Sequence, residues 1–199
     1  TNRDAYHTQR RFPATVPRVR LSRPPGGTAL PKVLPFVPEV AVLGTGSALG
    51  LKEGYPLISY HSRSGRKLRY AELSPVDQAW KLQVVDAGGE ATSLAVDSSG
   101  IVHVAYLDAF TLQLKHWKNN AGQTQIQIID QDTGKGGMGY YNSIKVDGLG
   151  NPHVSYYYLQ KPDGSIADDL KYASATGTSW APQFIDRDAE RGKYNSLAL

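Results

Sequence analysis

Eight side chains on short connecting segments are equipped for chemistry: Asp130, Asp132, Tyr141, Asn142, Asp186, Asp188, Tyr194 and Asn195. Carboxylates, carboxamides and phenols in one group can bind and stack on a sugar, hold a hard cation, or serve as the acid and base of glycoside hydrolysis. Asp130 and Asp132, followed by Gly134, resemble the start of a calcium loop, where alternate positions of a tight turn supply oxygen ligands. The twelfth position, where a bidentate acid belongs, is Tyr141. Solvated loop carboxylates are therefore expected rather than calcium, and no metal or other cofactor is assigned. The chain has no cysteine, which excludes disulfides, thiolate metal sites and cysteine nucleophiles together. Neither a Ser/His/Asp order, nor a phosphate-cradling Gly-rich loop before a helix, nor a His pair at helical spacing is present, so no catalytic residue is assigned.

Other polar residues recur rather than cluster. His103 and His153 share a position with Leu57, and an apolar substitute argues for a structural role between elements. Tyr60, Tyr106 and Tyr156 likewise read as packing residues whose hydroxyls find a hydrogen bond, and Trp80 and Trp180 as core residues closing hairpins.

These positions are set by a repeat covering residues 41–199. One unit reads Leu57-Ile58-Ser59-Tyr60, Leu68-Arg69-Tyr70, Trp80 and Leu82-Gln83-Val84-Val85-Asp86. The next reads His103-Val104-Ala105-Tyr106, Leu114-Lys115-His116, Thr124 and Ile126-Gln127-Ile128-Ile129-Asp130. The third reads His153-Val154-Ser155-Tyr156, Leu170-Lys171-Tyr172, Trp180 and Pro182-Gln183-Phe184-Ile185-Asp186. A short apolar stretch starting at Ser47, Ser93 or Ser143 precedes each, and Ser196 begins a further one. Each unit thus holds four short segments rich in β-branched and aromatic residues with turn residues between them. Asp97-Ser98-Ser99-Gly100 and Asp147-Gly148-Leu149-Gly150 read as tight turns joining the first two strands, with Gly supplying positive φ. No long window keeps a helical apolar period, so the expected class is all-β, with four antiparallel strands per unit forming a propeller blade.

At these residues the chain resembles bacterial propeller repeats with the pattern Ser-apolar-x-Val-Asp-x-x-Gly-x-x-His-Val-x-Tyr, then Leu-Lys-Tyr, Gly-x-x-Trp and apolar-Asp. It is also distantly similar to the Asp-box blades of sialidases, since Gly177-Thr178-Ser179-Trp180 and Asn120-Ala121-Gly122-Gln123-Thr124 each keep part of that turn. The Asp-box is structural in that family, so the similarity brings no glycosidase activity with it. Three complete units and the start of another are fewer than a closed propeller needs. The sequence therefore implies either a portion of a longer chain or a second copy supplying further blades. In a propeller, the connections into each first strand surround the channel mouth, which makes the eight residues named at the outset the expected ligand surface.

Residues 1–40 form a different segment. They carry seven basic and two acidic side chains, a charge of +5, whereas the other 159 residues hold 15 basic and 16 acidic, a charge of −1. They also hold seven of the 12 prolines, so an extended, partly polyproline II arm is expected. Such an arm is either a linker or a strap along another protein, and Phe12, Val16, Leu21 and Phe36 are its candidate anchors. Its basic residues are not interleaved with stacking aromatics, so nucleic acid is not an expected partner. No apolar run approaches the ~18 residues of a membrane span. The expected location is extracytoplasmic: secreted, periplasmic or at the cell surface.

The leading functional expectation is a non-enzymatic binding or scaffold subunit, joined to other protein subunits through the arm and the open blade edges. A carbohydrate-binding propeller is the second expectation. A sialidase-like hydrolase is the third, because Lys135, Arg187, Arg191 and Lys193 are scattered rather than clustered.

Overall fold

The computed structural model describes residues 43–63, 65–131, 137–160, 165–187 and 192–199. The arm, with Phe12, Val16, Leu21 and Phe36, lies outside the described residues, as do Asp132 and Asp188. By compactness the chain divides into two units, Thr1–Lys32 and Val33–Leu199, and the described strands belong to the second.

Twelve strands and no helix are present among the described residues. The first sheet comprises β1 (Leu43–Lys52), β2 (Tyr55–Ser62), β3 (Lys67–Leu73) and β4 (Trp80–Ala87). The second comprises β5 (Gly89–Val96), β6 (Val102–Asp108), β7 (Gln113–Asn120) and β8 (Gln123–Asp130). The third comprises β9 (Met138–Val146), β10 (Pro152–Gln160), β11 (Ile166–Thr176) and β12 (Ser179–Asp186). Each is an antiparallel meander in sequence order, so the first and fourth strands are edges. The all-β expectation, four strands to each repeat, holds.

The repeat is kept at the level of register. Leu68 pairs with Asp86, Leu114 with Asp130 and Leu170 with Asp186, and a bulge follows each pair. The bulge breaks the two-residue alternation of side chains, so the carboxylate no longer follows the facing of the strand before it. Turns also repeat. Asp97 accepts from the amides of Ser99 and Ile101, Asp147 from those of Leu149 and Asn151, and Gly100 and Gly150 adopt φ of +76° and +85°, as the sequence implied.

Successive sheets pack face to face. β1 lies against β5, and β5 against β9, so the first strands adjoin. Leu57, Leu68 and Tyr70 meet Val102, Val104, Tyr106 and Trp117 between the first and second sheets. Ala105, Leu114 and Ile129 meet Met138, Ile144, Val154, Tyr156 and Ala173 between the second and third.

Two expectations are corrected. Tyr141 and Asn142, read as loop residues, lie inside β9, which starts before Ser143 and bends through a register shift at Gly139 and Tyr141. Trp80, read as core, is 45% exposed, because no described sheet covers the side of β4 on which it lies, whereas Trp180 packs against His116.

Candidate functional site

The polar repeat residues converge between sheets. Asp86, at the end of β4, accepts from Tyr106 Oη at 2.8 Å and from Lys115 Nζ at 3.2 Å, and Lys115 also bonds Asp108 at 2.5 Å. Asp130, at the end of β8, accepts from Tyr156 Oη and Lys171 Nζ in the same way. Each acid belongs to the earlier sheet, and both donors to the later one. Burial first, and then the neighbouring carboxylate, holds the Tyr106 and Tyr156 phenols far above their usual range. Burial alone would lower Lys115, but the bonds to Asp108 and Asp86 outweigh it and raise it. These groups are locked as neutral phenols and paired ions, an arrangement suited to joining sheets.

A second polar chain crosses between β6, β7, β8 and β12. The Trp180 indole can only donate, and it does so to Gln127 Oε1 at 3.3 Å. That oxygen therefore accepts from His116 Nδ1 at 3.3 Å, and His116 Nε2 accepts from His103 Nδ1 at 3.1 Å. His103 Nε2 in turn faces Asp97 Oδ2 at 3.6 Å. Burial, reinforced by His103, pushes His116 down to about 3, and burial also lowers His103 against the opposing pull of Asp97. His153 sits between Tyr172 Oη at 2.5 Å and Asp147 at 3.4 Å.

Tyr141, Asn142, Tyr194 and Asn195 do come together. Asn142 donates to the carbonyls of Gly139 and Ala91 and accepts from Ser93 Oγ. Asn195 donates to the carbonyls of Gly192 and Tyr141 and accepts from Ser155 Oγ. A pattern missed in the sequence explains this: Gly89-x-x-Thr92-Ser93, Gly139-x-x-Asn142-Ser143 and Gly192-x-x-Asn195-Ser196. A Cβ at Gly139 would come within 2.9 Å of Leu114, and one at Gly192 within 3.0 Å of Leu170, and both glycines have positive φ, so only glycine lets each entering segment approach the repeated leucine. The signal was legible as a spacing, but the other glycines of these connections, Gly88, Gly134, Gly136 and Gly137, masked it. The carboxamides are thus engaged in tying first strands together. The phenols remain outward: Tyr141 is 39% and Tyr194 81% exposed, with ring centres 4.6 Å apart. Asp130 is engaged by Tyr156 and Lys171, and Asp186 ends β12 in the register of Asp86 and Asp130.

A cleft of about 360 Å³ lies where Tyr70, Glu72, Lys81 and Gln83 of the first sheet meet Asn119 of the second. Among the described residues no group of three or more His, Asp or Glu side chains is placed to hold a metal ion, and no helix is long and apolar enough to cross a membrane. Neither a protein-family model nor a curated protein matches the chain.

Proposed function

We propose that the chain is a non-enzymatic binding or scaffold module, a run of β-propeller blades that docks onto a larger assembly while residues 1–40 act as its anchor. The adjoining first strands and the repeated Tyr–Asp–Lys contacts support the blade reading, since each unit reads its predecessor in the same way. The observation that carries the docking reading is the row of fourth strands. β4, β8 and β12 are all edges, and they expose Leu82, Val84, Ile126, Ile128, Phe184 and Ile185. Open edges bearing large apolar side chains are templates for another chain. Meanwhile the carboxylates Asp86 and Asp130 are committed to holding sheets together rather than to chemistry.

Crosslinking mass spectrometry of the native protein tests this. Links from Lys81 on β4 and from Lys32 on the arm to another polypeptide are expected. A native protein in which both lysines link only within their own chain overturns it.

The exposed Tyr141–Tyr194 pair supports a second reading, carbohydrate recognition, because aromatic faces beside polar groups suit sugar stacking. A glycan array in which the native chain gives hits that Tyr194→Ala abolishes would sustain it, and an array with no hits would remove it.

A further inference from the structure

The cleft between the first and second sheets traces to one repeat position. Tyr70 pairs with Gln83 across β3 and β4, as His116 pairs with Gln127 across β7 and β8. Between the second and third sheets Trp180 covers this pair: its ring centre lies 5.2 Å from that of His116, and its indole donates to Gln127. In the second sheet the place of Trp180 is taken by Thr124, since Ala175 pairs with Trp180 and Asn119 with Thr124. Trp117 restores only part of the missing bulk, packing on Tyr70 with ring centres 5.0 Å apart. Gln83 is left exposed with no hydrogen-bond partner among the described residues, and about 360 Å³ stays open beside it.

The walls of this space are polar. Asn119 is 8% exposed, and its Oδ1 accepts from the amide of Gly122 at 2.8 Å. The Asn119 amide nitrogen is thereby left as a donor at depth with no partner among the described residues. Lys52, whose stem runs against Gly100, and Lys81 on β4 add two ammonium groups, neither in an ion pair among the described residues. Glu72 is the single carboxylate of the lining, and it accepts from Tyr70 Oη at 3.2 Å. Two cations therefore face one acid, while Gln83 and Glu72 supply acceptors for hydroxyl groups.

We propose that this cleft binds a small polyhydroxylated carboxylate, of the uronic or aldonic acid class, with Lys52 and Lys81 on its carboxylate and Asn119, Gln83 and Glu72 on its hydroxyls. The volume is near the lower end of the roughly 300–1,000 Å³ of small-molecule sites, which suits a single sugar-sized unit. A bare anion would leave Gln83 unused and would set its charge against Glu72. A neutral sugar would leave both ammonium groups unmatched. A flat aromatic ligand finds no free ring, because Trp117 already packs on Tyr70. The site stands apart from docking by the fourth-strand edges, and neither Tyr141 nor Tyr194 lines it.

Calorimetric titration of the purified full chain with D-glucuronate, D-glucose and acetate tests this. Glucuronate is expected to saturate one site, with glucose and acetate each about tenfold weaker or worse. Thr124→Trp gives the second sheet the side chain that the third carries at this position, so it should abolish glucuronate binding while keeping the urea midpoint. Lys52→Met and Gln83→Ala, at positions that are not buried, should each weaken binding about tenfold, and Tyr194→Ala should leave it unchanged. A glucuronate titration that does not saturate, affinities for glucose or acetate equal to that for glucuronate, or loss of binding in Tyr194→Ala overturns the proposal. So does unchanged binding in a folded Thr124→Trp or, where that variant does not fold, in both Lys52→Met and Gln83→Ala. These titrations use the chain alone, so their failure is distinct from failure of the crosslinking test with other polypeptides.

Discussion

Strands β2 and β6 hold the same place in successive sheets and have similar apolar content, yet they are buried differently. Every residue of β6 from Val102 to Asp108 is buried, whereas β2 alternates between buried and half-buried positions. Ile58 and Tyr60 are as suited to burial as Val104 and Tyr106. What differs is the neighbour: β6 has a sheet on each side, and β2 has one described sheet on one side. Burial in this architecture is thus a property of position in the stack as much as of the strand's own composition.

The largest effect that tests this contrast is truncation of an indole. Trp117, 1% exposed between the first two sheets, should cost about 4 kcal/mol when changed to Ala, and Trp80→Ala well under half of that. Urea unfolding of the two variants measures the difference; equal losses would mean that the outward face of the first sheet is as closed as the interface. Next comes the ion pair. Lys171→Met leaves Asp130 buried without its cation and should cost about 3 kcal/mol. Lys115→Met strands two carboxylates, Asp86 and the more deeply buried Asp108, and should cost at least as much.

A third test separates the two interfaces by pH. Position 116 is His, whereas the equivalent positions 70 and 172 are Tyr. Burial depresses His116 from 6.5 to about 3 in the folded protein, so the unfolded chain takes up the proton first as pH falls. Stability contributed by neutral His116 is complete above about pH 6.5 and is lost progressively below it, on the order of 2 kcal/mol between pH 7 and 5. Asp97, His103 and Lys118 are the charged or titratable groups around this pair of rings. Urea midpoints followed against pH should fall less steeply in His116→Tyr than in the native chain; parallel slopes would assign the acid sensitivity elsewhere. The smallest expected effect is in a turn. Gly150→Ala, at φ +85°, should cost about 1 kcal/mol, and Gly148→Ala, which has no positive φ and open space for a Cβ, close to nothing.

The sheets were legible in the sequence because each unit repeats its turn residues and its apolar alternation, and both act locally. Four strands per unit and the Asp97 and Asp147 turns follow from neighbours within a few residues, and the structural reading of His103 from its recurrence at the position of Leu57 and His153. The joint role of Asp86, Tyr106 and Lys115 was not legible, although each was visible as a repeated residue, because the three lie on three strands of two sheets and only packing unites them. The inward use of Asn142 and Asn195 escaped for a related reason: an amide in a glycine-rich connection looks the same whether it faces a ligand or the backbone of a neighbouring strand. Trp80 was misjudged because its partner surface would have to come from outside the three sheets.

The direction of the carboxylate contact has a temporal consequence. Asp86 is 29 residues ahead of Lys115, and Asp130 is 41 ahead of Lys171. On a ribosome, each unit therefore emerges with its acid unclaimed, and a later unit must leave the tunnel before that acid is neutralised. Maturation runs in the same direction as translation, and a pause between units would hold an exposed face and an unmatched charge for as long as the pause lasts.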